Sequence, residues 1–372
     1  MTGRIVLFGA TGYTGLLAAE EMVATGLRPV LAGRSAERLA DLSLRLSGPE
    51  GPLPSAVADV AYPSTVHALV KPGDVLVSTV GPFTRFGEPA LQAVVQAGGG
   101  SVYIDSTGEP TFLADVYRNW HRPAQKSAAT LIPAMGYDFV PGQLAAALAL
   151  DRSEGRGRRV EVGYFLTGKG LGGSTGGTQA SLAGQLLERH YVRRDGRLRP
   201  ERAAAHARTF HTGGKDLAGL SLGSSEHFTL PRSFPEVRDV NVYLGWFGPH
   251  VRPLQVGSFA GDIVGRVPGL RRGLHHLAGK IVRTSTGGPD ATAREQSGSL
   301  AVAETFDESG SLVERVTVEG PNGYTLTGRL LAWSAARAAQ QGTVATGAIG
   351  PIEAFGLEAF TQGCRDAGLI EV

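Results

Sequence analysis

The sequence predicts an α/β protein that begins with a doubly wound parallel sheet and continues with an inserted α+β domain. Three observations support this fold class. The chain has 372 residues, which suits two folded units. Its first third alternates short β-rich runs with helical patterns, and after about residue 137 longer β runs replace that alternation. The expected domains are residues 1–136, residues 137–340, and a segment over 341–372 whose helices return to the first domain.

Six strands joined by helical crossovers are expected in the first domain, which is the pattern of a parallel sheet. The predicted strands are Arg4–Phe8, Arg28–Ala32, Ser55–Val60, Asp74–Val80, Ser101–Asp105 and Thr130–Pro133. The predicted helices are Thr14–Thr25, Ala36–Leu46, Ser64–Val70, Pro89–Ala97 and Phe112–Ser127. Ser64 is expected to cap the third helix through its side chain.

Longer β patterns mark the second domain, and they predict a largely antiparallel sheet whose free face can hold a substrate pocket or a dimer contact. These β patterns cover Arg159–Thr167, Ser225–Leu230, Val237–Tyr243, Ser299–Asp307 and Leu312–Glu319. Helices are predicted over Gly177–Arg193, Arg329–Gln341 and Gly350–Ala367. A homodimer is the expected oligomer.

The composition limits the classes of partner and compartment. A net charge of +2 without blocks of Lys and Arg among aromatic residues argues against a nucleic-acid partner. Cys364 is the single cysteine, so an internal disulfide is excluded, and no cluster of metal ligands is visible. No run reaches the roughly 20 apolar residues of a membrane span, and the first residues do not form a secretory signal. A cytoplasmic protein is expected.

The first predicted turn reads Gly-Ala-Thr-Gly-Tyr-Thr-Gly over residues 9–15, between a predicted strand and a predicted helix. In that position backbone N–H groups and the helix dipole can receive a pyrophosphate. The glycines would allow the tight turn, the approach of the phosphate and the packing of helix on strand. The motif therefore predicts a dinucleotide-binding Rossmann domain. Its predicted cofactor contacts are Gly9, Thr11, Gly12, Tyr13, Thr14 and Gly15.

The end of the second strand indicates which dinucleotide binds. An NAD site usually has a carboxylate there for the ribose 2′-hydroxyl, whereas an NADP site needs groups that bind a 2′-phosphate. This chain has Arg34 and Ser35 at that point, with Arg38 one helical turn later. The planar guanidinium of Arg34 suits a phosphate. NADP is therefore the predicted cofactor.

Two further segments are predicted to contact it. Asp59 follows the third strand, where it can meet the adenine or cap its own loop. The fourth strand ends in the segment Ser78–Phe83, whose turn should pass beside the nicotinamide ribose at the switch point of the sheet, and Val80, Gly81, Pro82 and Phe83 are the predicted contacts. Phe83 can stack on the cofactor ring or simply pack in the core.

Taken together, several motifs resemble the saccharopine dehydrogenase-like oxidoreductases, and the nearest branch resembles the trans-acting enoyl reductases of actinobacteria. The segments that carry the resemblance are Gly9–Gly15, Gly33–Ser35, Gly81–Phe83, Tyr103–Glu109, Gly136–Gly142, Gly173–Thr178, Gly288–Pro289 and Gly320–Tyr324. The resemblance implies a Rossmann domain, an inserted α+β domain that often mediates dimerisation, and NADPH-linked reduction of a C=C or C=N bond.

Tyr137 and Asp138 are the predicted catalytic residues because they follow the sixth strand, at the same sheet edge as the cofactor. Either side chain can deliver a proton. The alternatives are a role for Tyr137 in the core and for Asp138 as a helix cap. The loop over Gly172–Thr178 can bind an anion or act as a plain lid. His190, His206, His211 and His227 are further acid–base candidates, and their spacing selects none.

The leading functional prediction is an NADPH-dependent oxidoreductase that reduces a C=C or C=N bond of a small molecule, such as a lipid- or polyketide-type intermediate. Two alternatives stay open. One is an NADP(H)-binding isomerase or cyclase without net redox chemistry, and the other is an NADP(H)-sensing binding protein.

Overall fold

The computed structural model describes residues 3–168, 189–246, 255 and 287–372. These divide into two compact units. Unit 1 comprises Met1–Gly108, Phe112–Val140 and Gly323–Gly368. Unit 2 comprises Glu109–Thr111, Pro141–Asn322 and Leu369–Val372.

Unit 1 is built on a parallel sheet of seven strands. They are β1 (Ile5–Phe8), β2 (Val30–Gly33), β3 (Ser55–Val57), β4 (Val75–Ser78), β5 (Val102–Asp105), β6 (Thr130–Ile132) and β15 (Gly347–Ala348). Their order is β15-β6-β5-β4-β1-β2-β3. All six predicted strands form, and they give the doubly wound arrangement with its switch point between β1 and β4. The predicted α/β class is confirmed.

Helices cover this sheet, and most lie within a few residues of their predicted bounds. They are α1 (Tyr13–Ala24), α2 (Ala36–Arg45), α3 (Pro63–His67), α4 (Phe83–Phe86), α5 (Glu88–Ala97), α6 (Pro110–Asp115), α7 (His121–Lys126), α11 (Gly323–Gln341), α12 (Pro351–Phe355) and α13 (Leu357–Asp366). The four residues of β1, β2, β4 and β5 are all buried, as expected for strands covered on both faces.

Three helix predictions for unit 1 were wrong in detail. Ser64 is not the cap of α3, which begins at Pro63 with Tyr62 before it, because proline suits the first helical position. A π-helical turn over Val116–Trp120 separates α6 from α7. The helix predicted over residues 350–367 is two helices, because Gly356 has a φ of +78°, which breaks the helix.

Helix α11 packs alongside α1 and runs in the same direction. The Tyr13 and Tyr324 rings at the two helix starts meet edge to face at 5.1 Å. One turn later, a Cβ on Gly328 would lie 3.3 Å from the Leu17 backbone. Both helices therefore begin at the same edge of the sheet.

Unit 2 contains a largely antiparallel sheet. Its strands are β7 (Arg159–Gly168), β8 (Arg189–Arg194), β9 (Arg197–Arg202), β10 (Ala207–Thr212), β11 (Lys215–Ser221), β12 (Asp239–Leu244), β13 (Ser297–Phe306), β14 (Leu312–Pro321) and β16 (Ile370–Glu371). The main order is β10-β11-β12-β7-β13-β14-β16, with β8 beside β12 and β9 beside β8. Among these pairs β12 and β7 are parallel. The predicted α+β domain is confirmed.

The helices that accompany this sheet are α8 (Val140–Arg152), α9 (Glu226–Ser233) and α10 (Ala291–Glu295). The strand predicted at Ser225–Leu230 is wrong, because this segment forms α9. Residues 226–231 are all buried, so they show no polar face from which a helical period could be read. The predicted helix Gly177–Arg193 lies mostly outside the described residues, and its last part, from Arg189, forms β8 instead.

Glu226 of α9 is fully buried and accepts a hydrogen bond from the Tyr164 hydroxyl at 2.6 Å. Burial raises the pKa of Glu226 from 4.5 to about 7. The folded state therefore keeps a proton that the unfolded chain has lost, and stability should fall as the pH rises from about 4.5 to about 7.

Glu226→Gln removes this titration while keeping an acceptor for Tyr164. We expect the stability of the variant relative to the wild type to improve by up to about 3 kcal/mol between about pH 5 and pH 8. Urea unfolding at the two pH values measures it. Buried His190 and His227 give the opposite trend, because burial lowers their pKa values to about 3 and about 4, so the stability of the protein falls on acidification. This contribution is the same in both proteins and cancels when their stabilities are compared. A difference in stability that does not vary with pH would contradict the expectation.

Candidate cofactor and active site

The glycine loop of unit 1 closes tightly on itself. Gly9 has a φ of +91°, a conformation that favours glycine, and its carbonyl accepts the Gly12 N–H at 2.9 Å. A Cβ on Gly15 would lie 2.1 Å from that same carbonyl oxygen. Gly9 and Gly15 therefore have steric reasons to be glycine, and the turn that they allow leads directly into α1, as a pyrophosphate site requires.

Thr79, just beyond β4, supports this loop, a role that was not predicted. Its hydroxyl lies 3.2 Å from the carbonyl oxygens of Phe8 and Gly9, to which it donates. The signal available in the sequence was its position after the fourth strand, beside the predicted Val80 and Gly81.

Helix α1 starts at Tyr13, directly after the loop. Gly12 precedes it without a side-chain cap, and the first turn holds no acidic residue. The first-turn amides and the positive end of the helix dipole are therefore suited to an anion. Thr11 and Thr14 are partly exposed beside them. These residues fit a dinucleotide phosphate group.

The three residues predicted to recognise a 2′-phosphate lie where β2 meets α2. Arg34 and Arg38 are both exposed, and the Arg38 guanidinium donates to the Thr11 carbonyl oxygen at 2.7 Å. Arg38 thereby joins the start of α2 to the glycine loop. Ser35 is the N-cap of α2, because its hydroxyl accepts the Arg38 N–H at 3.4 Å.

The other predicted contacts show structural partners. The Asp59 carboxylate accepts the Ala61 N–H at 2.9 Å, so it caps its own loop. Phe83 is buried, and its ring lies 5.7 Å from the Phe112 ring. Val80 is half-buried and Gly81 and Pro82 are exposed, and all three follow β4 at the carboxyl edge of the sheet.

Tyr137 and Asp138 lie in the loop after β6, also in unit 1. The Tyr137 ring is buried and packs over Gly323, where a Cβ would be 3.0 Å from it. Its N–H donates to the Thr327 hydroxyl of α11 at 3.0 Å. Thr327 and Tyr324 were not predicted, because their helix is almost two hundred residues away in sequence.

Asp138 is only partly exposed. One neighbour is Gly108, at which a Cβ would lie 2.6 Å from the Asp138 Oδ2. This burial raises the pKa of Asp138 from 3.8 to about 7. Such a carboxyl can hold a proton near neutral pH and release it, which is what a general acid requires.

The predicted histidines lie in unit 2. His190 and His227 are buried and neutral, as their lowered pKa values imply. His206 lies 3.3 Å from Glu201, and exposed His211 pairs with Asp216 at 2.5 Å. These contacts do not select one of the four as a catalyst. The loop Gly172–Thr178 lies outside the described residues.

Among the residues that the structure describes, no group of three or more His, Cys, Asp or Glu side chains can hold a metal ion. In the same residues no helix is long and apolar enough to span a membrane.

No protein-family model matches the chain. Curated relatives do match. Over 366 residues the chain is 29% identical to a Mycobacterium tuberculosis protein provisionally named trans-acting enoyl reductase, with 88% of this chain and 86% of the relative covered. A trans-acting enoyl reductase of Mycobacterium bovis is 39% identical over 142 residues, which cover 38% of this chain and 34% of that protein. One from Mycobacterium ulcerans is 33% identical over 184 residues, or 48% and 44% of the two chains.

Solved structures match more remotely. A meso-dapdh mutant with DAP from Clostridium tetani covers 94% of both chains at 12% identity and a TM-score of 0.40. An actinorhodin polyketide ketoreductase with NADPH covers 36% of this chain and 69% of its own, at 17% identity and a TM-score of 0.28. Likenesses this distant carry no argument about function. The sequence relatives do support an argument about function. The chain is homologous to proteins named trans-acting enoyl reductases, and this confirms the prediction of an oxidoreductase enzyme.

Proposed function

We propose that the protein is an NADPH-dependent reductase that adds hydrogen across a polarised double bond of a lipid- or polyketide-type intermediate. The relatives named enoyl reductases favour a C=C bond over a C=N bond. The proposal includes membership of the saccharopine dehydrogenase-like oxidoreductases, which the ordered motifs from the glycine loop to Gly320–Tyr324 support.

One observation supports the chemistry most strongly. Unit 1 has a glycine turn after β1 that leads directly into α1 and, at the same carboxyl edge of the sheet, a carboxyl group after β6 whose pKa burial raises to about 7. NADPH, when bound, supplies a hydride to one carbon of the double bond. Asp138 would donate a proton to the other carbon, directly or through the enolate oxygen, and would be protonated again from water.

The choice of NADPH over NADH rests on Arg34 and Arg38, and it can be tested by binding alone. We expect Arg34→Ala to weaken NADPH binding by about 10–100-fold, the worth of one charge-assisted contact, and to leave NADH binding unchanged. Arg38→Ala should weaken both, because Arg38 also binds the Thr11 carbonyl. Fluorescence titration measures the dissociation constants.

Arg45→Ala is the matched control. Arg45 is an exposed arginine at the far end of α2 that pairs with Glu20 at 3.5 Å. Its removal should change neither constant. If Arg34→Ala weakened NADPH and NADH equally, the assignment of Arg34 to the 2′-phosphate would be wrong.

Turnover tests the reductase itself. Purified protein should oxidise NADPH with at least one member of a panel of α,β-unsaturated thioesters and esters, with imines as the comparison. Tight NADPH binding without oxidation by any of them would contradict the proposal and favour the NADP(H)-sensing alternative.

We also propose a cytoplasmic homodimer. The single cysteine agrees with a reducing compartment, and light scattering should give twice the 38.8 kDa chain mass.

A further inference from the structure

We propose that Asp105 is the positioning residue of this site: it fastens two loops at the sheet edge and so fixes the backbone that presents Asp138. The inference rests on the proposed function for its catalytic consequence. It rests on hydrogen-bond geometry alone for the positioning itself.

Asp105 ends β5, in the middle of the parallel sheet, and its side chain is fully buried. A buried carboxylate is costly unless polar partners surround it. The residue belongs to the segment Tyr103–Glu109, a motif to which the proposed reaction gives no role so far.

The partners of Asp105 come from two different loops. Its Oδ1 accepts the Thr107 N–H at 2.8 Å and the Ala134 N–H at 2.9 Å. Its main-chain carbonyl accepts the Met135 N–H at 2.7 Å. One carboxylate thus holds both the loop after β5 and the loop after β6.

Both loops meet at Asp138. In the loop after β5, Gly108 lies against the Asp138 carboxyl, and there is no room for a Cβ between them. In the second, Ala134 has a φ of +63°, which is unfavourable for a residue with a side chain. Its N–H is held by Asp105, and its carbonyl accepts the Phe139 N–H at 3.3 Å. Asp105 therefore stabilises the conformation from which Asp138 projects.

A second buried carboxylate of unit 1 provides the matched control. Asp74 lies at the opposite end of the sheet, before β4, where it accepts the Lys71 N–H at 2.8 Å and pairs with Arg4 at 2.6 Å. It shares with Asp105 burial and a backbone amide partner. The loops that carry Gly108 and Asp138 lie at the other end of the strands.

The experiment compares the full-length wild type, Asp105→Ala, Asp105→Asn and Asp74→Asn. Carbon-13 NMR of protein labelled at aspartate carboxyls follows the titration of Asp138, and an Asp138→Asn sample assigns its signal. We expect the pKa of Asp138 to fall towards its ordinary value in Asp105→Ala, because the loosened loops admit water. Asp105→Asn retains the Oδ1 acceptor and should rescue part of the shift. Asp74→Asn should leave it at about 7.

Turnover gives a second readout. The kcat of Asp105→Ala should fall by about 10²-fold, the order of a misplaced general acid, with NADPH affinity unchanged. If Asp105→Ala fails to fold, Asp105→Asn carries the test with a smaller shift in the same direction, and Gly108→Ala probes the Gly108–Asp138 contact directly, since its Cβ would displace the Asp138 carboxyl. Gly48→Ala, with no atom within 4 Å of the added Cβ, is its control.

An Asp138 titration that stays at its wild-type value in Asp105→Ala, or moves equally in Asp74→Asn, would overturn the positioning role. That readout does not require turnover. If no substrate is reduced but the titration shifts as expected, the positioning role stands and the proposed reaction fails.

Discussion

Asp138→Asn is expected to lower kcat by about 10²–10⁴-fold, the usual cost of removing a general acid, with the dissociation constant of NADPH unchanged. The amide keeps the size of the side chain beside Gly108 but has no acidic proton to give. Steady-state kinetics with a saturating substrate, together with a separate NADPH titration, measures both quantities.

The role of Asp138 also predicts how kcat depends on pH. Since the carboxyl must be protonated to act, wild-type kcat should fall as the pH rises above the Asp138 pKa of about 7. Asp138→Asn should lack that limb. Tyr137→Phe separates the two candidate donors: because the Tyr137 ring is buried over Gly323, its loss of a hydroxyl should have the smaller effect. The reverse order of the two variants would make Tyr137 the donor.

Gly15→Ala should abolish measurable NADPH binding. An added Cβ would lie 2.1 Å from the Gly9 carbonyl oxygen and 2.8 Å from its carbon, and both are backbone atoms of a turn that cannot yield without opening. Opening it displaces the amides at the start of α1. We expect a loss of at least about 10²-fold in affinity, equivalent to about 3 kcal/mol.

Thermal unfolding with and without NADPH measures this effect. Wild-type protein should be stabilised by the cofactor, since a ligand that binds only the folded state raises the unfolding temperature. Gly15→Ala should fold but show no such shift, and Gly48→Ala should behave as wild type. A normal shift in Gly15→Ala would exclude the glycine loop as the phosphate cradle.

The parallel sheet was predictable because its strands are short apolar runs between helical patterns. Strands buried on both faces need apolar residues at nearly every position, so the sequence shows them as such runs. Helix α9 was not predictable, since a short helix buried on every side reads like a strand. Nor could the sequence reveal that the chain returns to unit 1 at Gly323, before the expected residue 341, because an apolar helix face does not specify which unit it covers.

The candidate site also contains residues that could be predicted from the sequence and residues that could not. The glycine loop and Arg34 are local motifs, so adjacent residues were enough to predict them. Thr79, Thr327 and Asp105 act through contacts with residues distant in the chain, such as the bond from Tyr137 to Thr327, and their roles depend on the fold. The pKa of Asp138 is likewise a property of packing, because burial raises it.

Hydride transfer is the most direct test of the central claim. NADPH carrying deuterium at the transferred C4 position should give a reduced product with one deuterium from the cofactor, and unlabelled NADPH in D₂O should place one deuterium on the neighbouring carbon. Mass spectrometry and NMR of the product locate each label. A product without cofactor-derived deuterium, formed while the NADPH concentration stays constant, would contradict the account and point to an isomerase or cyclase.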